Sequence, residues 1–159
     1  MTNSPSVAVL LAAYNGMEWI EEQVSSILSQ KSISIEIFIS VDLSNDKTHE
    51  WCQGLAGKNA HVKVLPYGEK FGGAAKNFFR LIRDVDFSCF DYVALSDQDD
   101  IWDGSKLHHA IRTIEQDSLD GYSSDVIAFW SNGREKLVKK SFPQKKFDYF
   151  FEAAGPGCT

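Results

Sequence analysis

Val7-Ala8-Val9-Leu10-Leu11-Ala12, with Ala13-Tyr14-Asn15-Gly16 directly behind it, decides the fold. A short continuous apolar run closed by a turn suits a strand buried on both faces, as parallel sheets require. From Glu18 onward, Ile20, Val24, Ile27 and Leu28 fall at helical spacing, which predicts a helix to about Ser29. Ile35, Ile37, Ile39 and Val41 then alternate with Glu36, Phe38 and Ser40, a β-branched strand pattern. Asp42-Leu43-Ser44-Asn45-Asp46 follows as a polar loop, with Asp46 placed to cap a helix from Lys47 to about Leu55. Val62 to Leu65 reads as a third strand closed by Pro66, and Gly68, Gly72 and Gly73 mark a flexible loop. Ala74 to about Arg83 reads as a third helix, with Phe78, Phe79 and Ile82 as its inner residues. Tyr92 to Leu95 is a fourth strand, Ser105 to about Gln116 a fourth helix, and Val126 to Trp130 a fifth strand.

Strands alternating with helices predict an α/β domain with a mainly parallel sheet. Ligands gather at the carboxyl ends of such strands. Tyr14-Asn15 follows strand one, Asp42 follows strand two, and Asp97-Gln98-Asp99-Asp100 follows strand four. The three polar clusters therefore define one cleft at one edge of the sheet.

The chain has 159 residues, 43% of them hydrophobic, and a formal net charge of −6. That size suits one domain. No segment approaches the roughly 20 apolar residues of a membrane span. No basic region precedes the first apolar run, so it does not read as a signal peptide. The acidic balance argues against binding nucleic acid through its phosphates. Lys139-Lys140 and Lys145-Lys146 read as solvated surface, the alternative being a patch facing an acidic membrane or a phosphate. Cys52, Cys89 and Cys158 are odd in number and far apart, which predicts neither a disulfide framework nor a zinc site.

Asp97, Asp99 and Asp100 place three carboxylates within four residues, and these repel unless a cation or solvent relieves them. In an extended turn Asp97 and Asp99 point the same way. Their hard oxygens suit Mg²⁺ or Mn²⁺, which also bind a diphosphate. A solvated acidic loop capping the next helix is the alternative. A calcium loop fails, because Ile101 and Ala110 stand where oxygen ligands are needed. Asp42 is placed either to accept from a base NH or ribose hydroxyl or to serve the turn. Gly73 precedes Ala74 rather than Lys, so no phosphate-binding P-loop is present, and no GxGxxG follows strand one. The four histidines read as surface or structural residues. Trp102 reads as core, and Tyr14 either lies along a base or packs.

These motifs, in this order, carry a resemblance. Val7 through Gly16 is similar to an opening strand and nucleotide-binding turn, and Glu21-Glu22-Gln23 to Ser26-Ile27-Leu28-Ser29-Gln30 to a first helix. Ser40 through Thr48 is similar to Ser-Asp-Asp-Gly-Ser-x-Asp-x-Thr, and Ala94 through Trp102 to a DXD segment. Over nearly its whole length the chain resembles the N-terminal nucleotide-binding part of the family 2 glycosyltransferases. The Asp-Gln-Asp-Asp-Ile-Trp form and the ending Gly155-Pro156-Gly157-Cys158-Thr159 resemble the bacterial rhamnosyltransferases and other enzymes of cell-surface polysaccharide (O-antigen) synthesis.

The resemblance implies an α/β, GT-A (Rossmann-like) fold: a mainly parallel sheet with helices on both faces. Residues 1–159 would form a single nucleotide-diphospho-sugar-binding domain, with the C-terminal acceptor part missing. Ala13, Tyr14 and Asn15 would border the nucleotide and Asp42 would bind the base. Lys76 stands near a position where the family often has an Arg contacting the nucleotide. Asp97 would sit near ribose and metal, and Asp99 would ligate Mn²⁺ or Mg²⁺ on the diphosphate. The reaction implied is inverting transfer from a UDP- or dTDP-linked sugar to a glycan or lipid-linked acceptor. It would take place in the cytoplasm, with the full-length enzyme peripheral to the membrane. Val41, Leu43 and Lys70 depart from the family pattern. The family's catalytic base lies beyond the DXD, and neither Asp148 nor Glu152 matches it, so no catalytic residue is assigned. A module that binds a nucleotide diphosphate without turnover is the alternative expectation.

Overall fold

The computed structural model describes residues 4–139. The expectations for Lys140, Lys145-Lys146, Asp148, Glu152 and residues 155–159 lie outside the described residues. Two compact units divide at His108 and His109. The first holds β1 (Ser6–Ala13), α1 (Ile20–Leu28), β2 (Ser34–Val41), α2 (Thr48–Ala56), β3 (Val62–Val64), α3 (Ala74–Asp84) and β4 (Tyr92–Ser96), and α4 (Lys106–Asp117) starts there. Its strands form one parallel sheet in the order β3-β2-β1-β4.

The run that opened the sequence reading is the central strand. Val7, Ala8, Val9, Leu10 and Leu11 are at most 1% exposed, as a strand covered on both faces demands. Each such Val or Leu contributes about 1.5–3 kcal/mol by leaving water. Register partners share a face, and this shows where the helices lie. Ala12 pairs with Ser40, whose hydroxyl donates to Asn77 of α3. Leu11 pairs with Ser96, and Gln23 of α1 bonds to Ser96. Ala12 and Leu11 face opposite ways, so α3 covers one face of the sheet and α1 the other. Ala8, Leu10, Ala12, Phe38, Leu65, Leu81 and Val85 form the core under α3.

Two expectations need correction. On α3, Phe79 is 70% exposed and Ile82 46% exposed, while Phe78 is partly buried. The inner residues are Asn77, Arg80 and Leu81. The reason is that α3 docks over polar strand ends, where its inner side chains hydrogen-bond the Ser40 hydroxyl and nearby carbonyls. The Asn77 amide donates to Ser40 O at 3.0 Å and Ala13 O at 3.3 Å. Arg80 donates to Ser40 Oγ at 3.0 Å and to Pro66 O, with its guanidinium over the Phe71 ring.

The fifth strand, β5 (Val126–Phe129), does not extend the parallel sheet. It pairs antiparallel with β6 (Glu135–Val138), a strand the sequence reading lacks. Ile127 and Phe129 are 61% and 57% exposed, unlike a strand covered on both faces. Phe129 pairs with Glu135, and Gly133 takes φ 78° in the turn between the strands. This is a hairpin with a glycine in the left-handed region, signalled by Asn132-Gly133. Among the described residues, no helix is long and apolar enough to cross a membrane.

Candidate functional site

Strand order fixes where a ligand could sit. The chain steps from β1 outward to β2 and β3, then returns to place β4 on the other side of β1. A crevice opens beyond the carboxyl ends where the order reverses. A cleft of about 540 Å³ lies there, lined among others by Ala13, Tyr14, Asp42, Lys70, Asn77, Asp97, Gln98 and Asp99. That volume is in the range of small-molecule sites.

Across the crevice, the Gln98 side chain clamps the turn after β1. Its Oε1 accepts from Tyr14 N at 2.7 Å and its Nε2 donates to Tyr14 O at 2.8 Å. A Cβ at Gly16 would come within 2.2 Å of Gln98 Oε1, so a glycine here makes room for the clamp. Asn15 adopts φ 45°, a left-handed turn that Asn tolerates better than most residues. Its amide donates to Ser44 Oγ, and its Oδ1 accepts from Asn45 N at 2.9 Å. Tyr14 is 54% exposed and lines the cleft, so it is not part of the core.

The β2 end is built around two carboxylates. Asp46 accepts from Thr48 N at 2.9 Å and from Met17 N at 3.1 Å, so it holds the start of α2 and also the turn after β1. Asp42 is only 4% exposed. Its Oδ1 accepts from Leu43 N at 2.7 Å and Phe71 N at 2.8 Å, and its Oδ2 from Gly72 N at 2.8 Å. Gly72 and Gly73 take φ 73° and 157°, conformations that favour glycine. Burial alone would push the Asp42 carboxyl up, but the amides of Phe71, Gly72, Leu43 and Gly73 outweigh it and hold the group below its ordinary 3.8.

A pH dependence follows. Asp42 is depressed in the folded state, so its stabilisation is complete above 3.8 and is lost as pH falls through the lower folded value. Melting temperature is expected to drop below that pH, as the loop through Phe71 and Gly72 loses its anchor. Asp42→Asn should melt lower at neutral pH and show a shallower acid slope. An unchanged slope in that variant would contradict the anchor role.

At the β4 end, Asp97 and Asp99 both line the cleft. The Asp100 carboxyl is pushed up by burial, which Lys106 partly offsets and Asp97 and Asp99 reinforce. Among the described residues, no group of three or more His, Cys, Asp or Glu is placed to hold a metal. Two carboxylates on one cleft still suit a hard cation that takes its remaining ligands from diphosphate and water. Trp102 is 4% exposed, in keeping with the core reading, and Lys106 Nζ lies 4.3 Å from its ring centroid.

The structure thus brings together Ala13, Tyr14, Asp42, Asp97 and Asp99. Asn15 and Lys76 are not among the lining residues; Lys76 is exposed on α3. Sequence reasoning missed the cleft roles of Gln98, Asn77 and Lys70. Gln98 stands inside the quoted acidic motif, and Asn77 and Lys70 break apolar or family patterns, so each left a faint signal.

Similarity to known proteins agrees with this geometry. The chain is 51% identical over 150 residues to the dTDP-rhamnosyl transferase RfbG of Shigella flexneri, covering 94% of this chain and 52% of that protein. In structure it resembles S. aureus TarS 1-349 in complex with UDP, with TM-score 0.59 and 18% identity over 81% of this chain and 43% of that one. It also resembles the mannosyltransferase PcManGT from Pyrobaculum calidifontis in complex with GDP-Man and Mn²⁺, with TM-score 0.59 and 22% identity over 71% and 33%. Those two likenesses show the GT-A fold. Residues 8–155 match the family described as Glycosyl transferase family 2, and with the 51% identity this makes the chain a member of that family.

Proposed function

We propose that the cleft is the donor site of a glycosyltransferase, taking a nucleoside diphosphate sugar with a divalent cation. The carrying observation is the convergence of Tyr14, Asp42, Asp97 and Asp99 on one cleft at the strand-order reversal. The name of the Shigella relative favours a dTDP-linked deoxysugar as donor. Tyr14 offers an aromatic face at the mouth of the cleft. Asp42 orders the loop of Gly72 and Gly73, which forms the wall opposite. Asp97 and Asp99 would hold Mn²⁺ or Mg²⁺, and such a cation, when bound, neutralises the leaving diphosphate. Lys70 is the one cationic side chain among the described residues lining the cleft, placed to add charge of the same sign.

Inverting transfer to a glycan or lipid-linked acceptor is proposed for the whole protein. The chain spans about half the length of the Shigella relative, and no described carboxylate is assigned as the base. The same applies to a location at the cytoplasmic face of the membrane and to a role in surface polysaccharide synthesis.

Calorimetric titration with dTDP and UDP, with Mn²⁺ and in EDTA, tests the donor-site reading. Binding strengthened by Mn²⁺, with dTDP preferred, is the expected result. Absence of binding by either nucleotide under both conditions would overturn it.

A further inference from the structure

We infer that buried polar side chains on α1 and just past its end are a preformed cradle for the acidic loop, with Gln23 as a positioning residue for Asp97 and Asp99. The inference rests on the donor-site reading of those two carboxylates. Gln23 and Ser26 stand at i and i+3 on one face of α1, and Gln30 follows just past its C-terminal end. They are 0%, 9% and 8% exposed. A surface helix usually fills such a face with apolar residues. Burying amides and a hydroxyl there costs about 1–3 kcal/mol each unless they are hydrogen-bonded.

All three are bonded, to partners that run from the end of β4 through the acidic loop to the start of α4. Gln23 Nε2 donates to Ser96 Oγ at 2.6 Å and to Asp97 O at 3.2 Å. Ser26 Oγ accepts from Trp102 N at 3.0 Å while facing Gln23 Oε1 at 3.0 Å. Gln30 Nε2 donates to Asp103 O at 2.6 Å, and its Oε1 accepts from Leu107 N at 3.0 Å. Lys31 N adds a bond to Gly104 O at 3.0 Å. These side chains thus grip the loop at Asp97, Trp102 and Asp103, and the first turn of α4 at Leu107. Asp99 lies exposed in the chain between the Gln98 clamp and the Trp102 anchor.

Repulsion among Asp97, Asp99 and Asp100 favours spreading the loop when no cation is bound. The α1 side chains oppose that spreading from beneath. The loop is therefore shaped by the helix before any cation arrives, and cation binding carries little ordering cost. Gln23 is fully buried and does not line the cleft, so it acts through the Asp97 backbone.

Amide hydrogen exchange on the whole chain in EDTA tests the cradle. Trp102 and Leu107 amides are expected to exchange as slowly as sheet amides, with Mn²⁺ plus dTDP altering their protection by no more than about twofold. Fast exchange in EDTA, with protection appearing only with Mn²⁺ and dTDP, would overturn the inference. Gln23→Met keeps the side chain's length and removes its donors. The ratio of dTDP affinity in Mn²⁺ to that in EDTA should fall roughly tenfold, the usual scale for a residue supporting a metal ligand. The affinity in EDTA should stay at the parent value. An unchanged ratio, or a parallel fall in both affinities, would reduce Gln23 to a structural residue. If the parent chain binds dTDP in neither buffer, the donor-site reading fails and exchange alone decides the cradle. Exchange also decides it if Gln23→Met does not fold.

Discussion

Asp99→Ala is expected to lower Mn²⁺-dependent dTDP affinity on the order of a hundredfold, two factors of ten at roughly 1.4 kcal/mol each. Asp99 is exposed and lines the cleft, so its truncation opens no cavity in the core. Stability should therefore change by less than about 0.5 kcal/mol. Any small change should be stabilising, because Asp97 and Asp100 lose a like-charged neighbour. The loss of affinity arises because Asp97 remains as a single lining carboxylate on that loop, and a hard cation then loses a charged ligand that water replaces poorly. Affinity in EDTA should be unaffected. Calorimetry with and without Mn²⁺, beside a thermal melt, separates the two effects. Parent-like affinity in Mn²⁺ would remove Asp99 from the donor set.

The sheet was legible because its signals are local. A continuous apolar run at Val7–Ala12 and strict alternation at Ile35–Val41 leave few alternatives, and both strands formed where expected. Carboxylates after strands two and four pointed to the cleft because parallel topology puts all carboxyl ends on one edge. What stayed hidden depends on partners distant in sequence. Gln23 and Ser96 are 73 residues apart, and nothing in a glutamine on a helix announces a buried serine opposite. Asp42 read as a group for a ligand or for the turn, and nothing local showed that amides of a loop some 29 residues later would bond its oxygens. On α3, hydrophobicity misled outright. The helix sits over polar strand ends, so its inner face is chosen by hydrogen-bond demand and Phe79 is left outside. The β5–β6 hairpin was missed because β5 looks apolar while its pairing depends on the turn at Gly133.

That inversion on α3 gives a second large effect. Asn77→Ala is expected to destabilise the chain by about 3 kcal/mol, whereas Phe79→Ser should cost less than about 0.5 kcal/mol. Asn77 is 2% exposed, and its amide serves Ser40 O and Ala13 O at the carboxyl ends of β2 and β1. Ala13 O also receives Asp42 N at 2.8 Å, and Ser40 lies in the β1–β2 ladder, so the Asn77 amide adds a second donor at each strand end. Truncation removes the acceptor of the Ser40 hydroxyl and the donor shared by both carbonyls, and it empties the volume of an amide beside buried Leu81. The neighbouring Arg80 guanidinium would then sit next to unfilled space while still bound to Ser40 and Pro66. Asn77 also lines the cleft, so nucleotide affinity should fall together with stability. Urea unfolding at constant m-value measures both variants. Equal stability of the two, or greater loss for Phe79→Ser, would mean that the apolar pattern after all describes the buried face. The predicted order places the strength of this helix in the polar contacts that fasten it to the strand ends. Those same contacts fix the floor of the cleft, so stability and donor binding at Asn77 cannot be tuned apart.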